Sequence, residues 1–165
     1  AALENGGRAF SLQAARPYAA YPVASAGEAV AGADVVCTAT RATAALFEAG
    51  ELAPTAHVNA VGAYRHDMCE IPVGSFAGAG VIAVDDVESA LAEAGDLVAA
   101  LEAGAISTGR LVTIAELLAA QAAGGARRPD GATIFKSVGV AAQDWAIAEL
   151  IVRREQDGGS GVGGS

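Results

Sequence analysis

Four short apolar runs, each followed by small or polar residues, are spaced along the chain. They cover residues 34–40, 57–61, 81–84 and 132–136. Each run is apolar at consecutive rather than alternate positions, which is typical of strands buried on both faces of a parallel sheet. Helix signals separate the runs. This alternation predicts an α/β fold with about four parallel strands, right-handed crossovers and helices on both faces of the sheet.

The segments between the runs carry helix-start signals. A Ser or Thr followed three residues later by Glu, the spacing of a capping box, occurs at 25–28 and again at 113–116. Two longer helices are predicted over 87–103 and 140–154, because their apolar residues recur at helical spacing. The glycine-rich stretch 74–80 is predicted to be a connection without helix.

The two ends of the chain are predicted to lie outside the folded part. Residues 1–22 give no clear element, since Asn5-Gly6-Gly7 is a turn signal and prolines discourage a helix. Residues 155–165 are rich in Gly and Ser and predict a flexible tail. A single domain over 23–154 remains. The first residue is Ala1 rather than Met, which indicates a processed chain or a fragment.

Polar and small residues collect where the predicted strands end. In chain order these are Thr38 and Thr40, Gly62 and Ala63, Asp85 and Asp86, and Lys136 and Ser137. Ligands of open α/β sheets bind outside the carboxyl ends of the strands. Because a small pair at such an end lets a ligand approach the backbone, we expect Thr40, Gly62 and Ser137 at one edge of the sheet. The alternative is that these residues form only solvated turns.

Two of these positions leave alternatives open. The Asp85-Asp86 pair precedes a predicted helix and either complements its N-terminal dipole or faces a ligand. Lys136 ends a buried strand, and we expect a surface or structural role for it rather than that of a cation in the site.

Composition narrows the classes of function. The formal charge of −9 argues against nucleic acid or an anionic membrane as a partner, since both bind basic surfaces. No apolar run reaches the roughly 18 residues of a membrane-spanning helix, and a cytoplasmic location is predicted. The two cysteines are expected to be buried thiols. With only two histidines, no metal-ligand spacing is present, so no metal site is predicted.

No glycine loop of the type G-x-G-x-x-G follows a predicted strand, so no motif marks a dinucleotide site. Four stretches in order nevertheless resemble the ornithine cyclodeaminase/mu-crystallin family. They are 33–40, 57–70, 84–96 and 133–144. The resemblance covers residues 23–154. It implies the C-terminal part of a Rossmann domain that binds NAD or NADP, without the half that carries the glycine loop.

The resemblance also implies features of the complete protein. Family members are NAD(P)-dependent enzymes that act on small amino or cyclic imino acids, and they form homodimers through an N-terminal substrate domain. That domain is expected to be absent here, together with the family's substrate-binding Lys and Arg. We therefore expect this chain alone to bind a dinucleotide only weakly and to turn over no substrate.

Carried over residue by residue, the resemblance places six residues beside the cofactor: Thr40, Val61, Gly62, Ala63, Tyr64 and Ser137. It places Val138 against the substrate. Tyr64 stands where the family's cyclodeaminases have an acid–base Asp. A phenol, with an ordinary pKa of about 10, is a poor base near neutral pH, so no catalytic residue is assigned in this chain.

The resemblance favours one subgroup of the family. The Ala-Tyr-Arg-x-Asp-Met-x-Glu form of residues 63–70 is closer to the ketimine reductases, although His66 stands where that subgroup tends to have Pro. We therefore predict an oxidoreductase that transfers hydride between a nicotinamide and the C=N carbon of a ketimine or pyrroline-carboxylate. An ammonia-releasing, NAD-dependent ornithine cyclodeaminase and a non-catalytic binding protein of the same fold are the alternatives.

Overall fold

The computed structural model describes residues 10–13, 19–125 and 129–159. In these ranges the strands are β1 Phe10–Gln13, β2 Ala19–Pro22, β3 Val35–Thr38, β4 His57–Ala60, β5 Val81–Val84, β6 Leu111–Thr113 and β7 Thr133–Lys136. The helices are α1 Ala26–Val30, α2 Val73–Gly78, α3 Val87–Glu93, α4 Gly95–Glu102, α5 Ile114–Ala122 and α6 Ala141–Gly159. Short 3₁₀ turns lie at Ala49–Glu51 and Thr108–Arg110.

Strands β3 to β7 form one parallel sheet in the order β3-β4-β7-β5-β6. The predicted α/β fold and its four parallel strands are confirmed. β6 is a further strand that was not predicted from the sequence, because three residues are too few to show a pattern of apolar and polar positions. One row of paired residues crosses the sheet at its carboxyl edge: Thr38, Ala60, Lys136, Val84 and Thr113.

Helices cover the two faces of this sheet unequally. Along β3, β4 and β7 burial alternates, with Val36, Val58 and Ile134 buried on one face. The successive crossovers from β3 to β6 all run in the same direction, so right-handed connections put their helices on that face. The return from β6 to β7 through α5 runs the other way. The second face is consequently open at the edge strand β3, where Val35 is 57% exposed.

Two helix predictions are corrected by the structure. The glycine-rich stretch forms α2, because the complete burial of Phe76 stabilises the helix despite its glycines. The single helix predicted over 87–103 is divided at Ala94 into α3 and α4. A Cβ on Gly95 would lie 2.4 Å from the carbonyl oxygen of Met68. Only glycine therefore allows α4 to begin so close to the loop that follows β4.

The ends of the chain also differ from the prediction. β1 and β2 pair antiparallel as a separate two-stranded sheet, in a segment where no element was predicted. The Asn5-Gly6-Gly7 turn signal lies outside the described residues. α6 continues to Gly159, so the first residues of the predicted flexible tail are helical, while 160–165 lie outside the described part. The apolar stripe predicted on this helix is exposed, with Trp145 at 65%.

The predicted capping signals operate at both helices. The Ser25 hydroxyl accepts the Glu28 N–H at 3.1 Å at the start of α1. The Glu28 carboxylate accepts from the N–H of Ala24 rather than from that of Ser25, so the box there is only half formed. At α5 Thr113 and Glu116 form the complete reciprocal box.

The exposure of the two cysteines differs from the expectation. Both cysteines are free thiols, but Cys37 is exposed and Cys69 half-buried, so the expectation of two buried thiols is wrong. Cys37 is exposed because it lies on the open face of the edge strand.

None of the helices in the described ranges combines the length and the apolar character needed to cross a bilayer.

Candidate functional site

The residues predicted for a cofactor site lie at the carboxyl edge of the sheet. Since β3, β4 and β7 are parallel neighbours that end in one paired row, the segments that follow them leave the sheet side by side. Thr40, Gly62 and Ser137 lie in these segments and therefore at one edge, as expected. Of the side chains there, Val61 is 45% exposed and Tyr64 41%.

A buried carboxylate that the sequence analysis did not assign to the site lies behind this edge. Glu70 is fully buried. Its Oε1 accepts the Thr40 N–H at 2.5 Å and the Thr40 hydroxyl at 2.8 Å. Its Oε2 accepts the Thr38 hydroxyl at 2.9 Å and the N–H groups of Gly62 at 2.8 Å and Ala63 at 3.2 Å. These five residues, here called the Glu70 cluster, join the ends of β3 and β4.

The Glu70 cluster explains why residue 62 is glycine. A Cβ on Gly62 would lie 2.3 Å from the Thr40 nitrogen and 2.4 Å from both the Thr40 oxygen and Glu70 Oε1. The sequence analysis connected this glycine with the approach of a ligand. The structure shows that the chain itself fills the space on that side, so packing alone requires the glycine.

The two acids after β5 have different roles. Asp86 caps α3 by accepting the Ser89 N–H at 2.7 Å, and its bonds from Ser89 lower its pKa. Asp85 turns to β7 instead: its Oδ2 accepts the Ser137 hydroxyl at 2.7 Å, the Val138 N–H at 3.1 Å and the Gly139 N–H at 2.9 Å. Asp85 therefore fixes the elbow between β7 and α6, where Ser137 and Val138 were predicted to meet cofactor and substrate.

Replacing Asp85 by Ala is expected to loosen this elbow. Four donors lose this acceptor, namely the Ser137 hydroxyl and the N–H groups of Asp86, Val138 and Gly139, which should cost about 1–3 kcal/mol of unfolding free energy, measured by urea denaturation. Amide exchange at Val138 and Gly139 should become faster. Asp86→Ala is the matched control: it removes the α3 cap and should lower stability, but it should leave the exchange of both amides unchanged. Unaltered exchange in Asp85→Ala would contradict the role of this carboxylate.

Lys136, the last residue of β7, is fully buried, so the surface role allowed by the sequence is wrong and the structural role is favoured. Its Nζ lies 3.3 Å from Oδ1 of Asp96, which is also fully buried. Asp96 Oδ2 accepts the N–H groups of Glu70 and Ile71 at 3.4 Å each. Burial raises the pKa of Asp96, and the charge of Lys136 and these hydrogen bonds oppose the rise. The ion pair thus connects β7 to the Glu70 cluster.

The edge has the chemistry to hold the nicotinamide end of a dinucleotide. The polar groups of the Glu70 cluster bond to one another, and those of the elbow do the same. Val61 and Tyr64, in the segment after β4, are large exposed apolar and aromatic side chains at this edge. A flat ring suits such an apolar and aromatic surface. Within the part of the chain that the structure describes, no glycine-rich loop joins a strand to a helix N-terminus, as a pyrophosphate site requires. The residues fit the nicotinamide end only.

Comparison with known proteins gives related sequences. The sequence profile of the ornithine cyclodeaminase/mu-crystallin family matches residues 7–159. A Delta(1)-pyrroline-2-carboxylate reductase of Bacillus cereus is 34% identical over 143 residues, which are 86% of this chain and 43% of that protein. The ketimine reductase mu-crystallin of Rattus norvegicus is 38% identical over 131 residues, which are 77% of this chain and 37% of that protein.

A solved structure shares the fold. It is that of Thermococcus litoralis Delta(1)-pyrroline-2-carboxylate reductase in complex with NADH and L-proline, with a TM-score of 0.70 and 30% identity. The match covers 83% of this chain and 42% of that one. The chain thus spans less than half the length of the relatives that it matches.

Proposed function

Because this chain belongs to the ornithine cyclodeaminase/mu-crystallin family, we propose that it forms the nicotinamide side of the cofactor site in an NAD(P)-dependent reductase of small cyclic imino acids. The observation that carries the proposal is the gathering of Thr40, Val61–Tyr64 and Ser137–Val138 at one carboxyl edge. The relatives support it, since they are named as pyrroline-2-carboxylate and ketimine reductases, and one was solved with NADH and L-proline.

In this proposal the cofactor supplies the hydride, and the residues of this chain bind and orient it. Val61 and Tyr64 present the surface for the ring, and the elbow after β7 brings Ser137 and Val138 to the adjacent segment. Asp85 holds that elbow in place. Fixing the ring against the imine carbon and keeping water away is the main contribution that a protein makes to hydride transfer.

Tyr64 is the observation that argues against the cyclodeaminase alternative. The family's cyclodeaminases carry an acid–base Asp at this position, and a phenol does not replace a carboxylate as a base near neutral pH. The homodimer and the cytoplasmic location implied by the family stay predictions. Sedimentation of the complete protein is the measurement that tests the homodimer.

A titration of the ¹⁵N-labelled chain with nicotinamide mononucleotide tests the proposal. The amides of Thr40, Val61–Tyr64 and Ser137–Val138 should shift at millimolar concentration, since contacts to the nicotinamide side alone supply only about −4 kcal/mol. NMR then reports both the affinity and the place of binding.

Adenosine monophosphate is the matched control ligand. It has the same ribose and phosphate without the nicotinamide, and its end of a dinucleotide would need the glycine loop that the sequence does not contain. The same amides should stay unchanged. Equal shifts with both nucleotides, or none with either, would contradict the proposal.

A further inference from the structure

We propose that Glu70 is a positioning residue that sets the backbone on which the nicotinamide rests, an inference that itself rests on the proposed function. Its side chain bonds to the segments after both β3 and β4, which are the segments assigned to the cofactor. Glu70 is fully buried behind them, so it acts through Thr40, Gly62 and Ala63 rather than by touching a ligand.

The position of this carboxylate is itself fixed. The Glu70 carbonyl accepts the Leu46 N–H at 3.0 Å, and the Glu70 N–H points to Asp96 at 3.4 Å. Asp96 is held in turn by the buried Lys136, the last residue of β7. The ends of β3, β4 and β7 are therefore connected through one chain of polar contacts, and a shift of Glu70 would move the edge of the site.

A carboxylate is required here rather than any polar group of similar size. Three of the five donors are backbone N–H groups beyond the ends of the strands, where the sheet no longer supplies acceptors. They approach both oxygens, two of them on Oε2 and one on Oε1. A Gln side chain has one acceptor oxygen, so its NH₂ group would face an N–H donor on one side. Burial keeps water from replacing the lost acceptor.

The test compares Glu70→Gln with Glu116→Gln in the chain of residues 1–165. Glu116 also accepts a backbone N–H, that of Thr113 at 2.7 Å, but it lies on α5, which begins directly after the far edge strand β6. In Glu70→Gln the amides on the side that the NH₂ group takes, either that of Thr40 or those of Gly62 and Ala63, should exchange about tenfold faster or more, as expected for the loss of a charge-assisted hydrogen bond. The shifts that nicotinamide mononucleotide produces at Val61–Tyr64 should also disappear. In Glu116→Gln both readouts should match the unchanged chain.

A second variant keeps the test decisive if Glu70→Gln does not fold. Thr38→Val preserves the buried shape of Thr38 and removes only the hydroxyl bond to Oε2, so the Gly62 and Ala63 amides should exchange about three- to tenfold faster. Unchanged exchange in the folded variants would overturn the inference. Faster exchange with an unchanged nucleotide response would also overturn it, because the cluster would then be structural only. A wild-type chain that does not respond to the nucleotide would instead count against the proposed function.

Discussion

Replacing Gly62 by Ala is expected to destabilise the chain by about 3 kcal/mol, the upper part of the range for overpacked sites. The added methyl group would lie 2.3–2.4 Å from the Thr40 nitrogen and oxygen, and these are backbone atoms that cannot rotate away. Relief requires the ends of β3 and β4 to separate, which breaks the bonds to Glu70. Urea denaturation followed by circular dichroism measures the loss.

Gly78→Ala is the matched control for this substitution. Gly78 ends α2, is exposed, and has no atom within 4 Å of the place where a Cβ would lie. An alanine in a helix is favoured over glycine by about 0.5–1 kcal/mol, so this variant should be as stable as the unchanged chain or slightly more stable. Equal stability of the two variants would contradict the packing explanation of Gly62.

Removing either partner of the Lys136–Asp96 pair is expected to cost about 3–5 kcal/mol, because each change leaves a fully buried charge without its counter-ion. Lys136→Met should be the milder change, since Asp96 keeps the N–H groups of Glu70, Ile71 and Leu97. The double variant with Asp96→Asn should lose less than the sum of the single losses. A cycle of urea denaturations measures this coupling.

The exposed pair of Arg65 and Asp67 is the matched control for the buried pair. Their atoms are closer, at 2.6 Å, but their side chains are 59% and 62% exposed. Water and salt screen such a pair, so Asp67→Asn should leave the free energy of unfolding nearly unchanged. If the surface variant cost as much as the buried one, burial would not be the source of the effect.

The loss caused by Lys136→Met should depend on pH. Burial raises the pKa of Asp96 in the folded chain, and removal of the opposing charge of Lys136 raises it further. The loss of unfolding free energy caused by the buried, ionised Asp96 carboxylate is fully present above this folded-state pKa. As pH falls through that pKa toward the ordinary value of about 3.9, the folded state takes up a proton and the cost declines. The difference from wild type should therefore be largest at neutral pH, and a difference that grows with acidity would contradict it.

The sequence predicted the elements whose signal is local. Each of the four predicted strands is a continuous apolar run, and the caps at Ser25 and Thr113 depend on residues three positions apart. The family resemblance read from four such stretches is confirmed by the match over residues 7–159. The parallel direction of the strands then followed from the alternation of strands and helices, and with it the common edge of Thr40, Gly62 and Ser137.

The sequence did not reveal the elements that depend on distant contacts. Helix α2 forms despite its glycines because Phe76 is buried, and the break at Ala94 arises where Gly95 meets the loop after β4. In both cases tertiary packing outweighs local propensity, which differs by only about 1 kcal/mol per glycine. Nothing within a helix-length window of sequence contains that information.

What the sequence by itself determined is which residues reach the carboxyl edge, since the strand ends and the alternation that implies parallel strands are local patterns. Only the tertiary structure decided what holds that edge. Glu70 bonds to Thr38 across 32 residues of sequence, and Lys136 to Asp96 across 40. The sequence does not show whether a charged residue will be surrounded by water or by a buried partner. The effect of that residue on the free energy of folding depends on its desolvation and on counter-charges that only folding brings together.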